Sequence, residues 1–317
     1  MKEIGGYFQL DEFVKEPYYR NMIELNTGRN ALLYLVMAKN IKKVYIPNLL
    51  CNSVTDVLKQ HSVQYDFYDI GKDLLPLFSI KMKPDEFLYI VNYYGQIDNN
   101  IIREYKEKFK RIIIDNTQAF FQDPVVGVDT IYSCRKFFGV PDGAYLFTDA
   151  FFELELKIDK SKDRMAHILG RYEGAASDFY IYFQMNDESF YNLELRWMSK
   201  LTKNLLGAID YENTKESRNQ NFAYIFDDLQ YMNKLMVKKT EGAYAYPFYC
   251  NEGMKVRNKL AEKKIYIPTL WPNVLQTMRK GSVEYDYAAN ILPLPCDQRY
   301  KKDDMDILIK EVKKCID

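Results

Sequence analysis

Three short segments carry residue types that can do chemistry. Arg111-Ile-Ile-Ile-Asp-Asn-Thr-Gln-Ala119 delivers a carboxylate, Asp115, at the end of an apolar run. A carboxylate leaving a buried strand is costly unless it is paired. A protonated ring nitrogen would be such a partner; a cap on a following helix is the plainer reading. Ser133-Cys-Arg-Lys-Phe-Phe-Gly-Val-Pro-Asp-Gly-Ala144 sets Lys136 between a strand end and a Gly/Pro-rich turn. Shelter there lowers a lysine's pKa and favours the amine that adds to a carbonyl. Ser133 can donate to a phosphate oxygen, and Gly143 permits close backbone approach. A surface Arg-Lys pair beside a turn reads equally well. Thr27-Gly28-Arg29-Asn30-Ala31 opens a helix, where free N–H groups and the helix dipole favour an anion and Arg29 can add a charge-assisted contact. Glycine at a helix start is common, so this segment alone says little.

The elements around these segments tell where they lie. From about residue 26 to 150 short apolar strands alternate with helices. The expected strands are Lys43–Pro47, Val63–Ile70, Glu86–Asn92, Arg111–Asp115, Asp129–Ser133 and Gly143–Thr148; the expected helices are Ala31–Ala38, Cys51–Gln60 and Ile101–Lys110. Buried apolar strands separated by helices predict an α/β fold with a mostly parallel sheet covered on both faces. In such sheets ligands bind beyond the carboxyl ends of the strands. The unusual polar residues fall there: Asn92 to Gln96, Asp115 to Gln118, and Ser133 to Lys136. The stretch 151–205 is charged and aromatic. Beyond it, helices at Glu216–Leu229, Gly253–Lys264 and Asp303–Cys315 predict a smaller α/β domain. The expected division is 1–205 and 206–317.

Composition removes other classes. Of 317 residues, 47% are hydrophobic and 28% charged, and 44 basic residues balance 44 acidic ones. With no block of like charge, neither nucleic acid nor an anionic membrane surface is a natural partner. Met1–Phe8 contains charge and two glycines and does not read as a secretory leader. No apolar stretch approaches the roughly 18 to 20 residues of a membrane span. Five scattered cysteines without a C-x-x-C spacing suit reduced thiols in a cytoplasm. His61 and His167 are the only histidines, neither near a cysteine, so no metal site is expected.

In chain order the three segments supply a phosphate cradle, a partner for a ring nitrogen and a nucleophilic lysine, the parts of a pyridoxal-phosphate (PLP) site. Their wording resembles the DegT/DnrJ/StrS sugar aminotransferases, a branch of the fold-type-I PLP enzymes. Thr27-Gly-Arg-Asn-Ala-Leu32 resembles that family's S-G-T-x-A-L loop, and Ile90-Val-Asn-Tyr-Tyr-Gly-Gln96 its V-H-L-Y-G-Q turn. Ile114-Asp-Asn-Thr-Gln-Ala119 resembles E-D-A-A-Q-A, and Ser133–Gly143 the segment from phosphate-binding serine through Schiff-base lysine to the G-E-G-G turn. Arg196-Trp-Met-Ser199 resembles N-x-R-M-S, and Leu292–Tyr300 the closing L-P-L-x-P segment.

This resemblance implies a seven-stranded-type sheet, PLP held by Lys136, and Asp115 at the ring nitrogen with Gln118 beside the ring. It further implies phosphate contacts from Thr27, Gly28, Arg29, Asn30 and Ser133, and a homodimer. The implied reaction moves an amino group from an amino-acid donor such as glutamate to a keto-sugar, commonly nucleotide-linked, as in polysaccharide biosynthesis. Asn192, Arg196 and Arg299 are the substrate candidates.

The chain departs from the pattern in places. Arg29 replaces the loop threonine, Cys51 stands where an aromatic ring stacks on the cofactor, with Tyr93 or Tyr94 as substitutes, and the serine-to-lysine gap is two residues shorter. The competing readings are a PLP dehydratase or lyase and a non-catalytic ligand-binding relative. Family dehydratases carry histidine where Lys136 stands.

Overall fold

The computed structural model describes residues 4, 6–13, 15–151, 153 and 155–316. Met1, Lys2, Glu3 and Gly5 of the leading stretch Met1–Phe8 lie outside them. The strands are β1 (Ile23–Leu25), β2 (Lys43–Pro47), β3 (Gln64–Ile70), β4 (Pro76–Leu77), β5 (Glu86–Val91), β6 (Ile112–Asp115), β7 (Asp129–Ser133) and β8 (Ala144–Phe147), with β9 (Tyr246–Tyr249) and β10 (Ile291–Leu294) apart. The helices are α1 (Gly28–Ala38), α2 (Asn52–Gln60), α3 (Asn99–Phe109), α4 (Ala166–Glu173), α5 (Tyr180–Ser189), α6 (Lys200–Leu206), α7 (Tyr211–Leu229), α8 (Gly253–Glu262), α9 (Val274–Thr277), α10 (Val283–Asn290) and α11 (Lys302–Ile316).

The large sheet runs β1-β8-β7-β6-β5-β2-β3-β4. The pairs β2/β3, β2/β5, β5/β6 and β6/β7 are parallel, while β1/β8, β7/β8 and β3/β4 are antiparallel. Six strands fall on the expected ones, β1 makes up the seven-stranded type that the resemblance implies, and the eighth is β4, two residues added at the edge beside β3. Every residue of β5 and β6 is buried, as parallel strands covered on both faces require. Because β8 runs opposite to both neighbours, β1 points the same way as β7. The helix start after β1 therefore lies at the same edge of the sheet as the ends of β5, β6 and β7. The register places Val91 beside Asp115, Asp115 beside Ile131, and Ser133 and Leu25 both beside Ala144.

The second, two-stranded sheet pairs β9 with β10. Phe222, Ile225 and Leu229 of α7, Val256 and Leu260 of α8, and Met305, Leu308 and Val312 of α11 close a core over it. Trp271, Val274, Tyr287 and Ala288 instead join the core of the large sheet. Neither β1 nor the β9/β10 pair is evident from the residue pattern. β1 has three residues, and Tyr246-Pro-Phe-Tyr249 and Ile291-Leu-Pro-Leu294 each contain a proline that reads as a break.

Candidate active site

Asp115 ends β6 and is 8% exposed. Its Oδ1 accepts from the Thr117 N–H at 2.9 Å and its Oδ2 from the Tyr89 hydroxyl at 2.7 Å. Burial pushes its pKa above the ordinary carboxylate value, against the Thr117 and Tyr89 bonds and the positive charge of Lys136, which pull it down. A buried acid in that state is short of a cation. Tyr89, which has no place among the motifs, is the principal residue the sequence reading overlooked. A hydroxyl inside an apolar strand needs a partner when buried, and that was the available signal.

Lys136 closes a single 3₁₀ turn, Cys134–Lys136, directly after β7. It is exposed rather than sheltered, and among the described residues its ammonium has no hydrogen bond or ion pair. The turn itself is fixed from the far side. The carbonyl of Phe137 accepts from Arg218 Nη2 at 3.3 Å and from Gln298 Nε2 at 2.9 Å. Arg218, 2% exposed, also donates to the Ala243 carbonyl at 2.7 Å and lies 4.6 Å over the Phe137 ring. The C-terminal half thus positions the backbone next to the lysine. Asp142 and Gly143 anchor the other end. The fully buried Asp142 carboxylate accepts from the Ser199 N–H at 3.0 Å, from the Ser199 hydroxyl at 2.7 Å and from the Thr202 hydroxyl. Gly143 has φ +112°, and a Cβ there would meet Thr202 Cγ2 at 2.9 Å. Only glycine fits.

Thr27 caps α1, its hydroxyl oxygen accepting from the Asn30 N–H at 3.1 Å. The first N–H groups of the helix have no acceptor within it. Arg29 Nη1 is buried without a hydrogen-bond partner. Asn30 is used internally: its side-chain amide donates to Asn26 Oδ1 and to the carbonyls of Leu193 and Glu194. Gly28 packs toward Ile131 of β7, which brings the cradle beside the strand carrying Ser133. The Ser133 hydroxyl has no partner among the described residues.

Cys51 sits at the N-cap of α2, with Sγ 2.6 Å from the Ser53 hydroxyl, and contributes to the electrostatic surroundings of Tyr89. Tyr93 and Tyr94 are fully buried and meet Trp271 edge-on. Gln118 Oε1 accepts from the Tyr94 N–H at 2.7 Å, which fixes the left-handed Tyr94 (φ 54°) and the turn beyond β5. Gln118 also lines a cavity of about 350 Å³ with Gly95, Phe121, Gln122 and Thr240; neither Asp115 nor Lys136 lines it.

The substrate candidates divide differently. Asn192 is exposed and forms no hydrogen bond among the described residues. Arg196 pairs with Glu194 at 2.7 Å and lies 3.9 Å from Asp159. Arg299 grips Asp297 with two hydrogen bonds, at 2.7 and 2.8 Å. Among the described residues no group of three or more His, Cys, Asp or Glu side chains could hold a metal ion.

No protein-family model and no curated protein matches the chain. Solved structures do. A DegT/DnrJ/EryC1/StrS aminotransferase from Brucella abortus matches at TM-score 0.62 and 16% identity, over 93% of this chain and 86% of that one. NtdA from Bacillus subtilis, with bound cofactor PMP, matches at 0.65 and 14%, over 95% and 74%. The putative sugar aminotransferase Spr1654 from Streptococcus pneumoniae, in its PLP form, matches at 0.61 and 13%, over 93% and 86%. The chain has the fold of these aminotransferases, the fold its motifs resemble.

Proposed function

We propose that the protein is a PLP-dependent aminotransferase that moves an amino group from an amino-acid donor, glutamate first among them, to a keto-sugar, commonly nucleotide-linked. The observation carrying this reading is the convergence, at one edge of the sheet, of Asp115, the unpaired Lys136 and the unpartnered Arg29 guanidinium. These residues fit PLP. A cation-poor buried carboxylate matches a protonated pyridine nitrogen, an unpaired amine matches a carbonyl, and a buried orphan N–H matches a phosphate oxygen.

When bound, the cofactor supplies an electron sink for the carbon that loses or gains the amino group. Lys136 Nζ would be the amine that holds it, and the same amine would be the group that moves a proton at that carbon. Asp115 keeps the proton on the ring nitrogen, with Tyr89 and Thr117 holding the carboxylate in place. Gly28, Arg29 and Ser133 bind the phosphate, with Thr27 and Asn30 shaping that loop, and Gln118, Tyr94 and Cys51 border the ring. Asn192, Arg196 and Arg299 remain the substrate contacts proposed.

We propose a homodimer as well. Lys136 is open to solvent in the single chain, and α5 exposes Tyr180, Ile181, Tyr182, Phe183 and Met185, large apolar side chains of the kind partners cover. The lack of a helix long and apolar enough to cross a membrane among the described residues accords with a cytoplasmic site of action.

The visible absorbance of the purified, PLP-supplied protein tests the cofactor reading. A band that borohydride bleaches and Lys136→Ala lacks is the expected result; a colourless wild type sinks it. Release of 2-oxoglutarate from glutamate with keto-sugar nucleotides then tests the transfer. Absence of amino-group transfer with every amine donor removes the aminotransferase reading.

A further inference from the structure

Arg135, the residue before Lys136, has no role in the site assigned so far, yet it is the more firmly held of the two. Its guanidinium carbon lies 4.1 Å from the centre of the Phe190 ring. Phe190 caps the C-terminal end of α5 and is buried. Arg135 Nη2 also donates to Asp187 Oδ1, on the same helix, at 3.3 Å. The ring is approached in turn by Arg164 at 5.5 Å, and Arg164 is paired with the buried Asp159 at 2.7 Å. Further along the segment, Asn186 Nδ2 of α5 donates to the Pro141 carbonyl at 3.3 Å. Ile168 Cγ2 of α4 lies 3.5 Å from where a Cβ of Gly139 would stand. Helices α4 and α5 therefore grip the chain on both sides of the lysine, from 135 to 141.

That grip bears on the direction of the lysine. In a 3₁₀ turn successive side chains point about a third of a turn apart. Around the turn Cys134–Lys136 the other directions are taken. Cys134 and Phe137 are buried in the aromatic core that includes Phe120 and Tyr145, and Arg135 is laid on Phe190. Lys136 alone points outward, exposed and, among the described residues, without a hydrogen bond or ion pair of its own. Its placement is thus inherited from its neighbours. Arg218 and Gln298 fix the Phe137 carbonyl on one side, and Arg135 fixes the other. A planar guanidinium stacked on a ring has a set orientation that a flexible chain lacks.

We propose that Arg135, laid on Phe190 and paired with Asp187, is a positioning residue for Lys136, fixing the turn from which the reacting amine emerges; this rests on the cofactor reading above. Arg135 acts through its neighbour and touches neither cofactor nor substrate. The end of α5 is then part of the machinery that aims the lysine.

Two measurements on cofactor-free protein test this. One follows in time the growth of the borohydride-bleached band after mixing with PLP. The other titrates the protein with deoxypyridoxine 5′-phosphate, which lacks the carbonyl and cannot join to an amine. Arg135→Gln slows band formation by about three- to tenfold, the range of a lost guanidinium–ring contact with its half-exposed ion pair. The same variant keeps its affinity for the analogue. Arg135→Lys, which retains a cation for the ring and the carboxylate, restores most of the rate. Asp187→Asn, an exposed change that leaves the ring contact, slows the band by about twofold and serves if Arg135→Gln fails to fold. An unchanged rate in Arg135→Gln, or in Asp187→Asn where that variant stands in, overturns the proposal. So does an analogue affinity that falls as far as the rate, which would make Arg135 a direct cofactor contact. A rate left equally low by Arg135→Lys overturns it too, since the cation would then not be what holds the turn. A wild type without the band removes the cofactor reading itself; a wild-type band with an unchanged Arg135→Gln removes this inference alone.

Discussion

The Tyr89 hydroxyl donates to Asp115 Oδ2 at 2.7 Å across neighbouring parallel strands, so the site's buried carboxylate is held from inside the sheet. That arrangement keeps Asp115 oriented, yet burial still raises its pKa from 3.8. The consequence for stability has a definite sign. An acid whose folded pKa lies above its unfolded value favours the fold below the unfolded value. That contribution is lost as pH rises from 3.8 through the folded value. At neutral pH the ionised Asp115 therefore costs the cofactor-free protein stability, about 1.4 kcal/mol for every tenfold change in its acid constant.

Asp115→Asn is expected to raise the melting temperature of the cofactor-free protein at pH 7 while weakening PLP binding by at least about tenfold, the effect of roughly one lost charge-assisted bond. Calorimetry and a PLP titration measure the two effects. The opposed signs distinguish a carboxylate kept for a cation from one that is merely structural, whose loss would lower both quantities.

Arg218 gives a second prediction. Its three donors reach Gln298, the Ala243 carbonyl and the Phe137 carbonyl, and it is almost wholly buried. Arg218→Met keeps the volume but leaves those acceptors short. We expect a loss of about 2–4 kcal/mol in urea unfolding. We also expect slower formation of the Lys136-dependent absorption band, because the Phe137 carbonyl next to the lysine loses one of its two donors. A variant with full stability and unchanged band formation would remove Arg218 from the positioning role.

Much of this architecture was legible in the sequence, for a physical reason. Strands buried on both faces must be largely apolar, so Glu86–Val91 and Ile112–Asp115 stand out; the helices begin at Gly28 and Asn99, earlier than the expected Ala31 and Ile101, because the Thr27 and Asp98 side chains cap them there. What escaped is tertiary. Nothing local marks Arg218 as buried, because its acceptors are backbone carbonyls and a glutamine far along the chain. Nor does spacing show that Arg135 stacks on Phe190, 55 positions away. The exposure of Lys136 was likewise hidden: the turn is sheltered on its backbone side, where Arg218 and Gln298 bind, and open on its side-chain side.

Arg299 and Asp297 supply a pH-dependent test. Burial would raise the Asp297 pKa, but the Arg299 hydrogen bonds and charge, aided by Arg218, bring it below 3.8. A depressed carboxylate adds stability above its unfolded value and loses it as pH falls through the folded one. Arg299→Ala should cost about 1–2 kcal/mol at pH 7, a figure reduced because the Arg299 side chain is 55% exposed. The difference from wild type should shrink below about pH 4, near the reference carboxylate pKa. Urea unfolding across that range checks it. A stability difference independent of pH would mean that Arg299 acts through packing, and a rise in substrate KM without any stability loss would favour a substrate contact.

The exposed apolar side chains of α5 provide the last prediction. Tyr180, Ile181, Tyr182, Phe183 and Met185 place large apolar side chains in solvent on a helix that leads directly to Phe190 and the Arg135 cluster. Exposed large apolar side chains concentrated on one helix mark an interface candidate, and an isologous contact repeats the same helix on both copies. Sedimentation of the wild type is therefore expected to give a dimer. The substitution Ile181→Asp should shift it to monomer, since a buried unpaired carboxylate at a two-fold contact is introduced twice. Because Ile181 is exposed in the single chain, the monomer's own fold should change by less than about 0.5 kcal/mol. PLP binding separates the alternatives further. If the second copy completes the cover over Lys136, the monomeric variant binds PLP more weakly than the dimer; if the dimer persists in Ile181→Asp, α5 is not the contact.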